Sequence, residues 1–212
     1  MEQRTQESAG VERELKYMLT REGWEALRAW ARASGAWVNE AEQRNTYFDL
    51  GADALGARRV SLRLREKGGK FLLCYKRQTH QDGAQMHSEE QEEVVGAEVA
   101  ARALGEPASL LGSGLRPVVA LEGFALQERL ELDALRIVGE LWTQRAVLRL
   151  GEFSLELDWS VYGGTEDFEV ECETARLEEA EGQLLGLLGA LGVSHEASTR
   201  PKVARMRAAR AR

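Results

Sequence analysis

The sequence predicts an α+β chain dominated by antiparallel β-structure, a closed or nearly closed barrel with helices packed outside it. Three observations carry this. About eight runs alternate apolar and polar residues at the period of a strand. Short turn signals such as Gly68-Gly69, Gly151 and Gly163-Gly164 separate them, as in hairpins and meanders. A sheet of that many strands removes its exposed edges by closing on itself. The 212 residues, 43% of them hydrophobic, are enough for a sizeable core, and no repeat or low-complexity linker divides them.

Each element follows from local pattern. In residues 11–19, Val11, Arg13, Leu15 and Tyr17 share one side and Glu12, Glu14 and Lys16 the other, a strand. Thr20 caps a helix to about residue 33, with Trp24, Leu27, Trp30 and Ala31 as its apolar stripe. Residues 45–50 read as a short strand. Residues 59–66 and 70–77 form a hairpin around Gly68-Gly69, with Arg63 and Arg65 on one face. Residues 87–95 are a weaker strand, with His87 and Ser88 expected at the surface. A helix over 96–104 is closed by Gly105 and Pro107, and 105–117 read as loop. Four more strand-like runs follow, at 118–126, 136–150, 153–159 and 166–173. A last helix spans 175–191, with Leu177, Leu184, Leu187, Leu188 and Leu191 on its apolar side.

Composition excludes several classes. A net charge of −7, from 35 acidic and 28 basic residues, argues against nucleic acid as a partner. No apolar run reaches the roughly 18 residues of a membrane helix, and the first ten residues lack the apolar stretch of a signal peptide, so the expected location is the cytoplasm. Two cysteines and three scattered histidines give neither a disulfide framework nor zinc spacing. Walker A, Gly-x-Gly-x-x-Gly and Gly-x-Ser-x-Gly motifs are absent. Residues 200–212 carry six basic residues and no acidic one.

The charged stripes are the distinctive feature. Carboxylates pair at period two in Glu12/Glu14, Glu90/Glu92, Glu156/Asp158 and Glu169/Glu171/Glu173, and cations in Arg63/Arg65. One such stripe is ordinarily the solvent face of a strand. With Thr143/Arg145 as the sixth, six strands sorted by sign would instead form, on one barrel wall, an anion site with metal ligands.

In order along the chain, Glu12-x-Glu14-x-Lys16, Tyr47-Phe48-Asp49, Leu62-Arg63-x-Arg65, a strand ending at Lys76, Thr143-Gln144-Arg145, a strand carrying Asp158, the run 162–173, and Lys202 with Arg205 resemble the CYTH superfamily of triphosphate tunnel metalloenzymes, in particular its small bacterial branch. The resemblance covers about residues 11–205. It implies one tunnel domain there, an eight-stranded antiparallel β-barrel, with a flexible N-terminus at 1–10 and a basic C-terminal tail at 206–212. Cys74 stands where the family usually has threonine and Leu50 where threonine is common. Ser88 precedes Glu90 and Glu92 where an arginine is frequent, which leaves one phosphate contact fewer.

The resemblance also implies function: metal-dependent hydrolysis of inorganic triphosphate or another triphosphorylated small molecule, by water attack on the terminal phosphate. Lys16, Arg63, Arg65, Lys76, Arg145, Lys202 and Arg205 would bind the triphosphate, with Lys76 and Arg145 catalytic. Glu12, Glu14, Glu169 and Glu171, joined by Glu90, Glu92 and Asp158, would hold metal. Oxygen-only donors suit hard cations, so Mg²⁺ or Mn²⁺ is expected. Phosphoryl transfer asks for in-line positioning and charge neutralisation rather than a protein nucleophile. Two other readings stay open, an adenylate cyclase of the class IV type and a non-catalytic nucleotide or polyphosphate binder. A homodimer is compatible with the sequence.

Overall fold

The computed structural model describes residues 11–51 and 53–210. The expected N-terminal segment 1–10 lies outside the described residues. Among the described residues there are nine strands and five α-helices: β1 (Val11–Leu19), α1 (Arg21–Ser34), β2 (Trp37–Leu50), β3 (Val60–Lys67), β4 (Lys70–Asp82), β5 (Gln85–Val95), α2 (Ala97–Gly105), α3 (Arg116–Glu128), β6 (Leu135–Leu150), β7 (Phe153–Tyr162), β8 (Thr165–Glu173), α4 (Leu177–Ala190), β9 (His195–Ala197) and α5 (Lys202–Arg210). The strands follow the order β5-β4-β3-β2-β6-β7-β8-β1, and β1 pairs with β5 to close an eight-stranded antiparallel barrel. Short β9 joins β1 beyond the reach of β5, with Tyr17 opposite Ala197. Among the described residues no helix is long and apolar enough to cross a membrane.

Period-two patterning sorts each barrel strand between two environments. On β1, Leu15 and Tyr17 point outward into an apolar layer and Glu14 and Lys16 line the interior. Thr20 caps α1, its side chain accepting from Gly23 N at 3.1 Å. That helix buries Trp24, Leu27 and Ala31, and α4 buries Leu177, Ala180, Leu184 and Leu188, against Leu155, Leu157, Val170 and Cys172 of β7 and β8. A second layer lies over β3 and β4, where Leu62, Leu64, Leu73 and Tyr75 meet Val118, Leu121, Phe124 and Ala125. The core is therefore outside the barrel, which leaves the interior free for charge.

Three elements differ from the sequence reading. Residues 118–126, expected as a strand, belong to α3. Their apolar run is continuous and does not distinguish the two periods, but Pro117 in the first turn and burial of Val118, Leu121, Phe124 and Ala125 follow helical spacing. The short strand at 45–50 is the buried end of a 14-residue β2 that pairs with β6 from Trp37 onward; residues 37–42 are half-buried or exposed and so carry no hydrophobic signal. Most of the supposed basic tail is α5. Val203 and Met206 pack on Tyr47, Leu141 and Tyr162 and seat the helix over one end of the barrel.

Candidate functional site

The barrel interior is a cavity of about 330 Å³ lined from every strand wall. From β1 come Glu12, Glu14 and Lys16, from β3 Arg63 and Arg65, from β4 Lys76, and from β5 Ser88, Glu90 and Glu92. Arg145 of β6, Glu156 and Asp158 of β7, Glu171 and Glu173 of β8, and Lys202 of α5 complete the ring. All sequence-predicted candidates line it except Glu169 and Arg205. Glu169 faces inward beside Glu171 but is fully buried beneath the cavity lining, where Lys202 lies 2.5 Å from its carboxylate and Arg205 also pairs with it. Arg205 also reaches Asp167 at 2.6 Å.

Nearly every charge is compensated. Arg145 grips Asp158 with two bonds of 2.7 Å and reaches Glu171 at 3.1 Å, the first because the two residues face each other across β6 and β7. Lys202 bonds Asp158 and lies 2.9 Å from Glu171. Lys16 bridges Glu171 at 2.9 Å and Glu14 at 3.4 Å. On the opposite side Lys76 bonds Glu12 and sits 3.1 Å from Glu14, and Arg63 reaches Glu90 at 3.3 Å.

Burial and neighbours set the protonation states. Burial pushes Glu12 up to about 8, against the pull of Lys76 and with help from Glu90 and Glu14. Burial would raise Glu90 too, but Arg63 and Lys76 outweigh it and hold that carboxyl at about 2. Glu169 is raised by burial, Lys202 opposing and the charge of Glu171 adding to the rise. Glu171 and Asp158 resist the same burial and stay below the ordinary range, Glu171 through Lys16, Lys202 and Arg145, Asp158 through Arg145 and Lys202. Cys74 is buried with its thiol pushed up by desolvation, Sγ donating to Glu90 at 2.6 Å, so it is no nucleophile.

Arg65 is one exception. Its hydrogen bond among the described residues goes from Nε to Asn45 Oδ1 at 3.0 Å, and no carboxylate pairs with it. Desolvation, then Arg63 and Arg145, pull its guanidinium down to about 10, the mark of a cation without a directly paired anion. Arg63 Nε and Ser88 Oγ are likewise buried without a hydrogen-bond partner. These orphan donors are where an anionic ligand would be satisfied.

Asp158, Glu169 and Glu171 offer carboxylate oxygens within 4.8 Å of one another, all buried. An oxygen-only cluster of this kind fits a hard divalent cation. Cys74, Glu90 and Glu92 form a second group of three close donors, but it includes a sulfur and its two carboxylates are only half-buried.

Sequence reading missed Arg59, Arg207, Gln43, Asn45 and Tyr47 as lining residues, and placed Ser88 at the surface although it is 1% exposed in the tunnel wall. For Asn45 and Tyr47 the signal was present, since both lie in phase on β2 and face Arg65 and Arg63.

Residues 10–200 match the family model for the CYTH domain. YjbK of Bacillus subtilis (strain 168), named for a proposed triphosphatase activity, is 28% identical over 171 residues, 79% of this chain and 80% of that protein. The solved structure of HpAC1 from Hippeastrum, a proposed adenylyl cyclase described as revealing a dominant triphosphatase activity, is similar with a TM-score of 0.80 and 30% identity over 93% of this chain and 95% of that one. A Bacillus halodurans structure named for a proposed adenylate cyclase gives 0.72 and 26% over 92% and 96%.

Proposed function

The chain belongs to the CYTH domain family, and on that premise we propose that it is a metal-dependent triphosphatase that hydrolyses the terminal phosphate of a small linear triphosphate inside the barrel. The observation that carries this reading is the charge balance of the interior. Among the described residues nine carboxylates and eight cationic side chains line the cavity. A triphosphate alone would unbalance them with several added negative charges; a triphosphate with divalent cations would not. Phosphates would exchange onto the cations and metal onto the carboxylates, each set giving up the other as partner. Because a buried ion pair gains little over its desolvation cost, the exchange is inexpensive.

In that arrangement Arg63 and Arg65 fork around phosphate oxygens, and Lys16 and Lys202 hold the chain from the facing walls. Lys76 and Arg145 neutralise charge on the transferred phosphoryl group and the departing pyrophosphate. Water adds to the terminal phosphorus, the bond to the bridging oxygen breaks, and orthophosphate and pyrophosphate result. Glu171, Asp158, Glu14 and Glu12 would hold Mg²⁺ or Mn²⁺, with Glu169, Glu90 and Glu92 behind or beside them. When bound, the cation would polarise phosphate oxygens and lower the pKa of water. Arg205 would act through Glu169 and Asp167 rather than on phosphate. We place the protein in the cytoplasm.

The test is product analysis with triphosphate and with ATP, with Mg²⁺, with Mn²⁺ and with chelator. Metal-dependent phosphate release without cyclic AMP is expected. Cyclic AMP plus pyrophosphate would make it a cyclase, and binding without turnover a binder.

A further inference from the structure

We propose that Arg59 is a further phosphate-binding residue, which holds the terminal phosphoryl group of the substrate at the end of the tunnel covered by α5. The inference rests on the triphosphate reading above. Arg59 lines the cavity, yet unlike Lys16, Arg63, Lys76, Arg145 and Lys202 its side chain has no carboxylate partner among the described residues. With Arg65 it is the second lining cation of that kind, and the two lie at opposite ends of β3.

The chain around Arg59 is fixed. Its φ is 57°, a left-handed conformation that glycine adopts freely and arginine only at a cost. Bonds from Arg59 N to Gly56 O at 2.9 Å and from Val60 N to Leu55 O at 3.0 Å hold the turn, and Gln78 N donates to Arg59 O at 3.0 Å. Behind it Asp49, 0% exposed, accepts from Leu50 N at 2.6 Å, Leu55 N at 2.9 Å and Gly56 N at 3.3 Å. Asp49 also accepts from Arg207 of α5, which pairs in turn with Asp53. A Cβ at Gly56 would press on the ends of the Arg207 and Asp53 side chains and displace that pair. Loop and helix are thus clamped together on one buried carboxylate.

The knot places Arg59, an exposed residue of the lining, at the tunnel end where Lys202 also enters. About 20 Å of strand separates residues 59 and 65, a span that two inward-reaching arginine side chains close to roughly the length of a triphosphate. Beside Arg59 the lining is neutral at Gln78 of β4 and at Ser88 of β5, which pairs with Gln78. The nearest carboxylates of the lining, Glu12 opposite Ser88 on β1 and Asp53 of the turn, are already held by Lys76 and Arg207. A cation left without a paired anion there selects an anionic group, and a guanidinium suits a terminal phosphoryl with its two or three free oxygens.

Steady-state kinetics with triphosphate on Arg59→Gln, Arg59→Lys and Arg65→Gln test this. Arg59→Gln is expected to raise KM about tenfold with kcat within about twofold, as for loss of one charged hydrogen bond made equally in ground and transition states. Its melting temperature should be unchanged, Arg59→Lys should recover part of the loss, and inhibition by pyrophosphate, too short to span both arginines, should not move. If Arg65→Gln loses binding while Arg59→Gln keeps its KM, Arg59 is a solvated surface group and the inference falls while the triphosphate reading stands. If neither variant alters KM, the triphosphate reading falls and takes the inference with it. A lowered melting temperature with no recovery in Arg59→Lys would assign Arg59 a structural role and overturn the proposal.

Discussion

The two faces of β8 are built for opposite purposes. Its outward residues Phe168, Val170 and Cys172 pack with Trp24, Leu157 and Leu184 in an apolar layer, where burial stabilises in proportion to area. Its inward residues Glu169 and Glu171 are as deeply buried but hold Lys16, Lys202, Arg145 and Arg205. Desolvation cancels much of what such pairs gain, so an apolar interior would make an equally stable barrel. The outside of the barrel accounts for the fold. The inside is explained by a ligand.

The comparison breaks most sharply at Arg145. Arg145→Gln is expected to lower kcat/KM about 10²–10³-fold, as loss of one preorganised charge does elsewhere, and to destabilise by about 3–5 kcal/mol because Asp158 and Glu171 are left buried with one cation fewer. Parallel kinetics and denaturant unfolding check both. On the outer face, Leu157→Ala should cost about 2–5 kcal/mol of stability while the folded protein keeps its kcat/KM. Equal effects of the two variants on activity would erase the distinction between the faces. Adding triphosphate with Mg²⁺ should stabilise the wild type by about 2.7 kcal/mol at a hundredfold excess over Kd, read as a rise in melting temperature that a chelator reduces.

A smaller effect concerns pH. Glu12 is raised from the ordinary range to about 8 in the folded chain. A carboxyl raised on folding contributes stability that is full below its unfolded pKa and is lost as pH rises through the folded one. Metal-free stability should therefore carry a component that declines between about pH 5 and 8, and Glu12→Gln should flatten it. An unchanged slope in the variant would remove Glu12 from the titration. Glu90 acts with opposite sign: held at about 2, it supports the fold above the unfolded range and fails only as pH falls toward that value.

Much of this contrast was legible in the sequence because a strand places alternate residues on opposite faces whatever the fold around it. Glu12/Glu14/Lys16, Arg63/Arg65 and Glu169/Glu171 declared a charged face in this way, and the ordered matches joined those faces into one barrel. Features that depend on distant partners were not legible. Arg207 reads as part of a solvated basic end until its partner Asp49, 158 positions away, is in view. Arg205, alike in sequence, is turned behind the wall by Asp167 and Glu169. The run 118–126 concealed its helix because uniformly apolar sequence shows neither period.

Arg65 gives the most direct test of the claim that the interior is a phosphate site. It is half-buried, is ion-paired to no carboxylate among the described residues, and is the lining cation whose removal should cost the empty fold least. Calorimetric titration of triphosphate with Mg²⁺ into wild type and Arg65→Gln, alongside their unliganded melting temperatures, is the measurement. The account predicts at least about tenfold weaker binding in the variant with an unliganded melting temperature equal to or above that of wild type. Undiminished binding, or a variant that melts well below wild type, would contradict it.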